Sequence, residues 1–168
     1  MRRLVLLAFG PLLVLGLVSC SSKAPTVSQA GPALTSVHLP SEILGLHVVR
    51  ENVQANLKGI NQSYLQSIGL FSFREQSKLL RATIEIGIFN KLAPATEARF
   101  RSNIVGGFGG SVPLQLRVGR TKVYLASGQD QNSFTWFDDK AFYVLSVRSD
   151  FPFQRTLLRD LLNTAIVR

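Results

Sequence analysis

The only cysteine of the 168-residue chain, Cys20, is the residue whose chemistry is easiest to assign. It follows Leu17, Val18 and Ser19 at the end of an apolar run, and a single cysteine cannot form a disulfide within the chain. Its thiolate is a soft nucleophile that is suited to attack on a lipid donor. The small residues just before it leave the backbone open to a peptidase. Cys20 is therefore the residue of this segment best suited to covalent modification.

The segment before Cys20 has the layout of an export signal. Met1–Arg3 is a basic start, and residues 4–18 carry no charge. These fifteen residues fall short of the ~20 that a membrane-spanning helix needs, and Gly10-Pro11 interrupts them. We therefore interpret residues 1–19 as a cleaved signal peptide and not as a permanent membrane span.

Leu17-Val18-Ser19-Cys20 resembles the lipobox of bacterial lipoproteins. The resemblance implies a diacylglycerol thioether on Cys20, cleavage before Cys20 and at most one further acyl chain, such as palmitate, on its amine. Two acyl chains anchor a protein stably, because each buried CH₂ contributes ~0.8 kcal/mol and one chain alone binds marginally. We expect a protein held by lipid at the extracytoplasmic face of the cell membrane, with no cofactor besides that lipid. In a Gram-negative host, Ser21 would permit sorting to the outer membrane.

Residues 20–41 are predicted to be the lipidated cysteine and a flexible tether. The residues after Cys20 are mostly small and polar, with prolines and no apolar period. Twenty such residues have a root-mean-square reach of about 25 Å. Residues 42–168 are predicted to form one globular domain, because a mature chain of about 150 residues can bury a core of its own.

The chain is basic, with 19 lysine and arginine residues against 10 acidic residues and a formal charge of +9. Removal of residues 1–19 takes away Arg2 and Arg3 and leaves 17 minus 10, or +7. A basic domain beside a membrane can attract anionic lipid headgroups or wall polymers. Nucleic acid would attract it equally, but export removes that partner. The alternative is that the excess charge serves only solubility.

Other residues that could do chemistry lack the arrangement that such chemistry needs. His38 and His47 have no second cysteine or carboxylate cluster near them, whereas zinc-type sites need three or four convergent groups. The glycine run 106–110 follows a predicted helix, whereas a phosphate loop leads into one. We expect it to end the helix, with ligand gating as the alternative. Asp138-Asp139 is interpreted as a solvated turn and not as a catalytic pair. We therefore predict no metal and no catalytic activity.

Aromatic residues are densest at residues 134–143. Phe134, Trp136, Phe142 and Tyr143 belong to two predicted neighbouring strands, where they can pair across the sheet. Core packing is the favoured interpretation. The alternative is an aromatic-lined groove for a ligand or partner, and these four residues would then form the site.

The hydrophobic pattern predicts an α+β domain with an antiparallel sheet of six or seven strands and two flanking helices, the last one C-terminal. Alternating apolar and polar residues indicate strands at residues 43–50, 68–74, 79–89, 112–118, 121–126, 133–137 and 141–147. Helices are expected at residues 94–105 and 151–167, the second with an apolar stripe for the sheet. Residues 52–63 are predicted to be a short helix or an ordered loop.

The globular part also resembles uncharacterised envelope proteins of actinobacteria, over about residues 64–165. The segments that carry this resemblance are residues 81–86, 122–128, 134–137, 142–150 and 155–162. It implies the outer face of the plasma membrane and offers no activity to transfer. A sheet flanked by helices is also similar to Mog1/PsbP-like domains, by analogy only, and a fold does not define a function.

These observations together predict a binding or interaction protein of the cell envelope. Its expected partners are the membrane, through the lipid anchor, anionic lipid or wall polymer, and an envelope protein of unknown identity. The alternative function is that of a carrier for a small apolar or sugar-like ligand in an aromatic-lined groove.

Overall fold

The computed structural model describes residues 36–51, 64–91, 94–106 and 113–167. The predicted signal peptide, the lipobox with Cys20, most of the tether, residues 52–63 and glycines 107–110 lie outside the described residues. The described elements, in chain order, are β1 (Glu42–Ile43), β2 (Leu46–Glu51), β3 (Leu65–Arg74), β4 (Leu80–Phe89), α1 (Pro94–Gly106), β5 (Leu114–Val118), β6 (Thr121–Ser127), β7 (Gln131–Phe137), β8 (Ala141–Arg148) and α2 (Gln154–Asn163).

The strands form one open antiparallel sheet in the order β1-β2-β3-β4-β8-β7-β6-β5. Strands that follow each other in the chain pair as neighbours, except where α1 connects β4 to β5 at the far edge. The meander from β5 to β8 then returns, so that β8 pairs with β4. This arrangement confirms the predicted α+β class, the antiparallel sheet and the two helices, of which the last is C-terminal.

The main core lies between one face of the sheet and α2. The alternating residues Ala82, Ile84 and Ile86 of β4 are buried on this face, as their spacing predicts. Leu157, Leu158 and Leu161 of α2 belong to the same core cluster and are at most 2% exposed. Burial of one such side chain contributes about 1.5–3 kcal/mol, so the apolar stripe holds α2 on the sheet.

A smaller core lies between the opposite face and α1. Phe100 and Ile104 of α1 pack in one cluster with Phe142 of β8. Adjacent residues of a strand point to opposite faces, which is why Phe142 belongs to this core and Tyr143 to the other. Gly87 of β4 is paired with Phe142, and a Cβ atom at Gly87 would lie 2.0 Å from Phe142 Cε1. Only glycine therefore leaves room for this ring.

The predicted count of six or seven strands is wrong, because residues 43–50 form parts of two strands. Ile43 pairs with Leu46, and the two residues between them, Leu44 and Gly45, have φ angles of 52° and 72°. Two positive φ angles in a row close a tight hairpin turn. Leucine rarely adopts this conformation, so the sequence carries only half of the usual signal for such a turn.

The C-terminal helix is shorter than the predicted range of residues 151–167. Phe151 is buried in the main core, and its N–H donates to Arg148 O at 3.1 Å, so the chain turns before the helix begins. Thr164 is extended and ends the helix, and its N–H donates to Leu161 O. The following residues leave the helix, and Val167 forms a β-bridge with Val37.

That β-bridge also moves the start of the folded part ahead of residue 42. The His38 N–H donates to Ile166 O at 2.7 Å, and the side chains of Val37 and Leu39 pack against the main core. The last residues of the predicted tether are therefore part of the domain. Among the described residues, no helix is long and apolar enough to cross a membrane.

Candidate functional site

A groove of about 640 Å³ lies between α1 and the β5–β6 hairpin, and we call it the basic groove. Arg101 of α1, Arg120 of the hairpin turn, Lys122 of β6 and Phe137 of β7 are among its described lining residues. The groove opens on the sheet face that α1 covers, because Tyr124, which also lines it, is paired with Thr135 and through it with Val144 of the smaller core.

One wall is a second face of α1. Ala98, Arg101, Ser102 and Val105 line the groove, and their spacing of three and four residues places them along one side of the helix. Phe100 and Ile104 lie on the side that faces the smaller core. The helix thus packs on the sheet with one side and forms the groove with another.

The other wall is built by β6 and the turn that precedes it. Lys122 and Tyr124 alternate along β6, so both point to the α1 face of the sheet. Gly119 has a φ of 60°, which lets the chain turn at Gly119-Arg120 and places Arg120 at the mouth of the groove. The Tyr124 and Phe137 rings meet edge to face, with 6.4 Å between their centroids.

The charge of this wall is not compensated. Arg117 of β5 is directly opposite Lys122, and like charges opposite each other in a sheet are destabilising. All ten acidic side chains are in the part of the chain that the structure describes, and none lies within 4.0 Å of Arg117, Arg120 or Lys122. Three cations therefore share a small surface with no carboxylate partner.

Arg101, in contrast, is held in place by its neighbours. Its Nη2 donates to Glu97 Oε1 at 2.5 Å and to the backbone oxygen of Asp138 at 2.7 Å. Its guanidinium lies 5.0 Å from the ring centroids of both Phe89 and Phe137, within the range of a cation–π contact. Arg101 is therefore a fixed part of the wall, and Glu97 balances its charge.

The four aromatic residues predicted as a groove are all buried instead. Phe134, Trp136 and Tyr143 are in the main core, and Phe142 is in the smaller core, each at most 4% exposed. The sheet brings Trp136 and Tyr143 together as stacked rings 5.0 Å apart. Core packing, the favoured interpretation, is what the structure shows, because strand alternation sends these side chains inward on both faces.

Asp138 has a structural role in the β7–β8 turn. Its Oδ1 accepts from the N–H groups of Lys140 and Ala141, and its Oδ2 accepts from the Tyr143 hydroxyl at 2.6 Å. Burial, and then this hydrogen bond to a carboxylate, raise the pKa of Tyr143. Asp139 is exposed in the same turn. The Asp138 carboxyl therefore stabilises the turn, and both aspartates lie in the turn that the sequence predicts.

The histidines are far from forming a metal site in the described structure. His38 is exposed beside the C-terminal strand segment, and His47 is exposed on β2 opposite Arg74. No group of three or more His, Cys, Asp or Glu side chains that could hold a metal ion occurs in the described ranges.

A hydrogen-bonded trio on β2 and β3 has polar members but lacks a suitable base. The Ser72 hydroxyl donates to Glu51 Oε1, and Arg74 donates to both Ser72 Oγ, at 3.0 Å, and Glu51 Oε1, at 2.9 Å. The bond from Ser72 and then the bond from Arg74 lower the pKa of Glu51. A general base works best with a pKa near the ambient pH, so Glu51 is poorly suited to activate Ser72.

Two further polar groups, the half-buried Glu85 and the fully buried Thr135, lie on the α1 face of the sheet. Glu85 of β4 stands in register between Leu70 and Val144, and burial raises its pKa. The Thr135 hydroxyl is fully buried and has no hydrogen-bond partner. One strand, β8, separates them in the sheet order, and Val144 stands between them in register, so they do not contact each other directly.

Sequence reasoning missed the basic groove, and one local signal could have indicated it. Arg117, Arg120 and Lys122 fall within six residues around Gly119, so a tight hairpin there brings the three cations together. The contribution of α1 could not be seen in this way, because it depends on where the helix crosses the sheet. Comparisons with protein-family models, curated proteins and solved structures found no match to this chain.

Proposed function

We propose that this chain is a lipid-anchored, non-catalytic binding protein of the cell envelope, and that it binds an anionic partner in the basic groove. The observation that carries the proposal is the set of three cations, Arg117, Arg120 and Lys122, without a carboxylate partner in the described structure. Clustered positive charge raises the local concentration of anions and speeds their association.

The energetics of the hairpin support a ligand over mere solubility. Arg117 and Lys122 repel each other across β5 and β6, whereas charges that serve only solubility can be spread apart at no cost. A bound anion would remove the repulsion and add charge-assisted hydrogen bonds. Positive charge that is concentrated on one wall of a concave surface is therefore better explained by binding.

The lipid anchor on Cys20 would keep the groove close to the membrane. Val37 is already part of the folded domain, so the 16 residues 21–36 connect Cys20 to it. Such a linker has a root-mean-square reach of about 20–25 Å. The proposed partners are accordingly those found at the extracytoplasmic membrane face: an anionic lipid, a wall polymer or an acidic envelope protein.

A carrier for a small apolar or sugar-like ligand is the second candidate. Its predicted aromatic groove of Phe134, Trp136, Phe142 and Tyr143 is buried, but Tyr124 and Phe137 give the basic groove an aromatic wall of its own. This role would require the rings, and not the cations, to dominate binding.

Photocrosslinking in living cells tests the proposal. A photoreactive amino acid replaces Ser102, an exposed residue of the groove, and in a matched control it replaces Gln129, an exposed residue of the β6–β7 turn. We expect a defined crosslink from position 102 only, and its loss when Arg120→Gln and Lys122→Gln are combined. Equal products from both positions would contradict a site in the groove.

A second experiment, metabolic labelling of cells with palmitate, tests the lipid anchor. The wild-type chain should incorporate the label and fractionate with membranes, whereas Cys20→Ser should do neither, because the thiol is the proposed acceptor. Incorporation of the label to the same extent in both chains would contradict the lipid anchor.

A further inference from the structure

We propose that the basic groove binds the phosphate group of a phosphomonoester, with Arg120 and Lys122 of its lining as cationic ligands and Arg117, directly opposite Lys122 on β5, as an additional positive charge beside it. The inference rests on the proposed binding function and names the chemistry of the ligand. The soluble form of such a ligand is a sugar or glycerol phosphate, and the membrane form is a lipid with a terminal phosphate.

The number of uncompensated positive charges at the groove favours a ligand with two negative charges. Glu97 balances Arg101, which leaves Arg120 and Lys122 on the opposite wall and Arg117 directly beside Lys122 on β5. A carboxylate or a phosphodiester brings one negative charge and leaves most of the repulsion between Arg117 and Lys122 in place. A phosphomonoester carries about −1.5 to −2 at neutral pH. It therefore compensates this wall better than the other common anions.

The donors of the groove match phosphoryl oxygens. Arginine presents a planar fork of N–H groups that fits phosphate in a bidentate manner, and lysine adds a compact charge. Ser102, on the α1 side of the same groove, adds a hydroxyl group. The described lining includes no aspartate or glutamate, so no carboxylate repels an anion from within. Each of these groups can donate to one of the phosphate oxygens.

The apolar part of the groove accommodates the esterified carbon group. Tyr124 and Phe137 form an edge-to-face pair beside Lys122, whose Nζ lies 5.1 Å from the Tyr124 ring centroid. Ala98 and Val105 of α1 lie opposite. A volume of about 640 Å³ is within the range of small-molecule sites, about 300–1,000 Å³. The groove therefore suits a headgroup-sized ester better than free phosphate alone.

Isothermal titration calorimetry on the full-length chain in non-ionic detergent tests this assignment. The probes are inorganic phosphate, glycerol 3-phosphate, short-chain phosphatidic acid and, as a carboxylate control, acetate. We expect glycerol 3-phosphate, phosphatidic acid or both to bind at one site, at least about tenfold more tightly than acetate, because each charged hydrogen bond that acetate lacks is worth about that factor. Binding of glycerol 3-phosphate alone indicates a soluble ligand, and binding of phosphatidic acid alone indicates a lipid.

Two double variants with the same change in charge separate a local site from the field of the whole molecule. Arg120→Gln with Lys122→Gln should weaken the phosphomonoester at least about tenfold, because two charged donors are lost. Arg155→Gln with Arg159→Gln, on the exposed side of α2, should change affinity less than about threefold, an effect of long-range attraction only. Circular dichroism and melting curves verify that both variants are folded.

The assignment is overturned if acetate binds as tightly as the esters, if no ester binds, or if the two double variants weaken binding equally. A photocrosslink from position 102 to an envelope protein, without binding of any ester, would overturn the phosphomonoester and leave the proposed binding function in place. If an ester binds but Cys20 incorporates no palmitate label, the phosphomonoester site stands and the lipid anchor is contradicted.

Discussion

The cations of the groove differ in how many contacts they already make with neighbouring residues, and so in how available they are to a ligand. Arg101 is committed to Glu97, to the backbone of Asp138 and to two aromatic rings, so a ligand would have to compete with all of these contacts. Lys122 contacts one ring and no carboxylate in the described structure. The availability of a charged side chain therefore follows from its partners and not from its exposure alone.

Gly87 sets how closely two side chains pack beneath α1, and its replacement should be costly. Gly87→Ala would place a Cβ 2.0 Å from Phe142 Cε1, in a ring that is fully buried. We expect a loss of about 1–3 kcal/mol in the free energy of unfolding, the usual cost of overpacking. Urea denaturation measures it. Gly106→Ala, with nothing within 4 Å of its added Cβ, is the control and should lose less than about 0.5 kcal/mol.

We expect Glu85 to make the folded domain less stable as the pH rises. Burial raises the pKa of Glu85 above the ordinary value of a glutamate, so the unfolded chain releases this proton at a lower pH than the folded chain does. Between the two pKa values the folded state binds more protons, and stability therefore declines with increasing pH. Glu85→Gln removes this decline, and the variant should have a higher melting temperature than the wild type at neutral pH.

Melting curves at neutral and at acidic pH test this sign. The advantage of Glu85→Gln should disappear below about pH 4, where both states of the wild type carry a protonated Glu85. Glu42→Gln, at an exposed carboxyl of the sheet edge, should leave the melting temperature almost unchanged. An advantage of Glu85→Gln that is equal at both pH values would show that ionisation is not its cause.

Among the elements, the β1–β2 hairpin has a turn in which sequence and conformation disagree. Leu44 has a φ of 52° and a side chain that is 41% exposed, so it accepts an unfavourable backbone with little burial in return. Leu44→Asn should raise the free energy of unfolding by about 0.5–1 kcal/mol, because asparagine tolerates this region better than leucine. Leu79→Asn, at 43% exposure and outside the left-handed region, should give no gain. Equal effects in urea denaturation would contradict the conformational explanation.

Elements with strong periodicity were predictable, and those set by a single turn were not. The alternation of apolar residues defines β4 within one residue of its observed bounds, and Pro94 with Glu97 defines the start of α1. The hairpin at Leu44-Gly45 was missed because leucine is not a turn residue. The ends of α2 were overestimated because Phe151 and Ile166 keep an apolar pattern while they pack outside the helix.

The site was less predictable than the fold for a related reason. Aromatic density at residues 134–143 reflects a sheet that is covered on both faces, and such a sheet buries consecutive side chains. The groove depends instead on the register that places Arg117 opposite Lys122, and on the position at which α1 crosses the sheet. Neither is contained in the local pattern of one segment.

At the scale of the whole molecule, some of the described cations form ion pairs with acidic residues and others do not. Several cations are balanced by acids, such as Arg74 by Glu51, Arg81 by Glu75 and Arg148 by Asp150. The hairpin of β5 and β6 has no such partner among the described residues. The β5–β6 hairpin thus brings three uncompensated positive charges together at one edge of the sheet.

The location of the ligand is the central claim, and nuclear magnetic resonance tests it most directly. Titration of glycerol 3-phosphate into the ¹⁵N-labelled chain should produce saturable shifts in the amide resonances of residues 98–105 and 117–124. The same residues should stay unperturbed in the variant that combines Arg120→Gln and Lys122→Gln. Largest shifts on α2, or shifts that grow without saturation across the whole chain, would contradict binding in the basic groove.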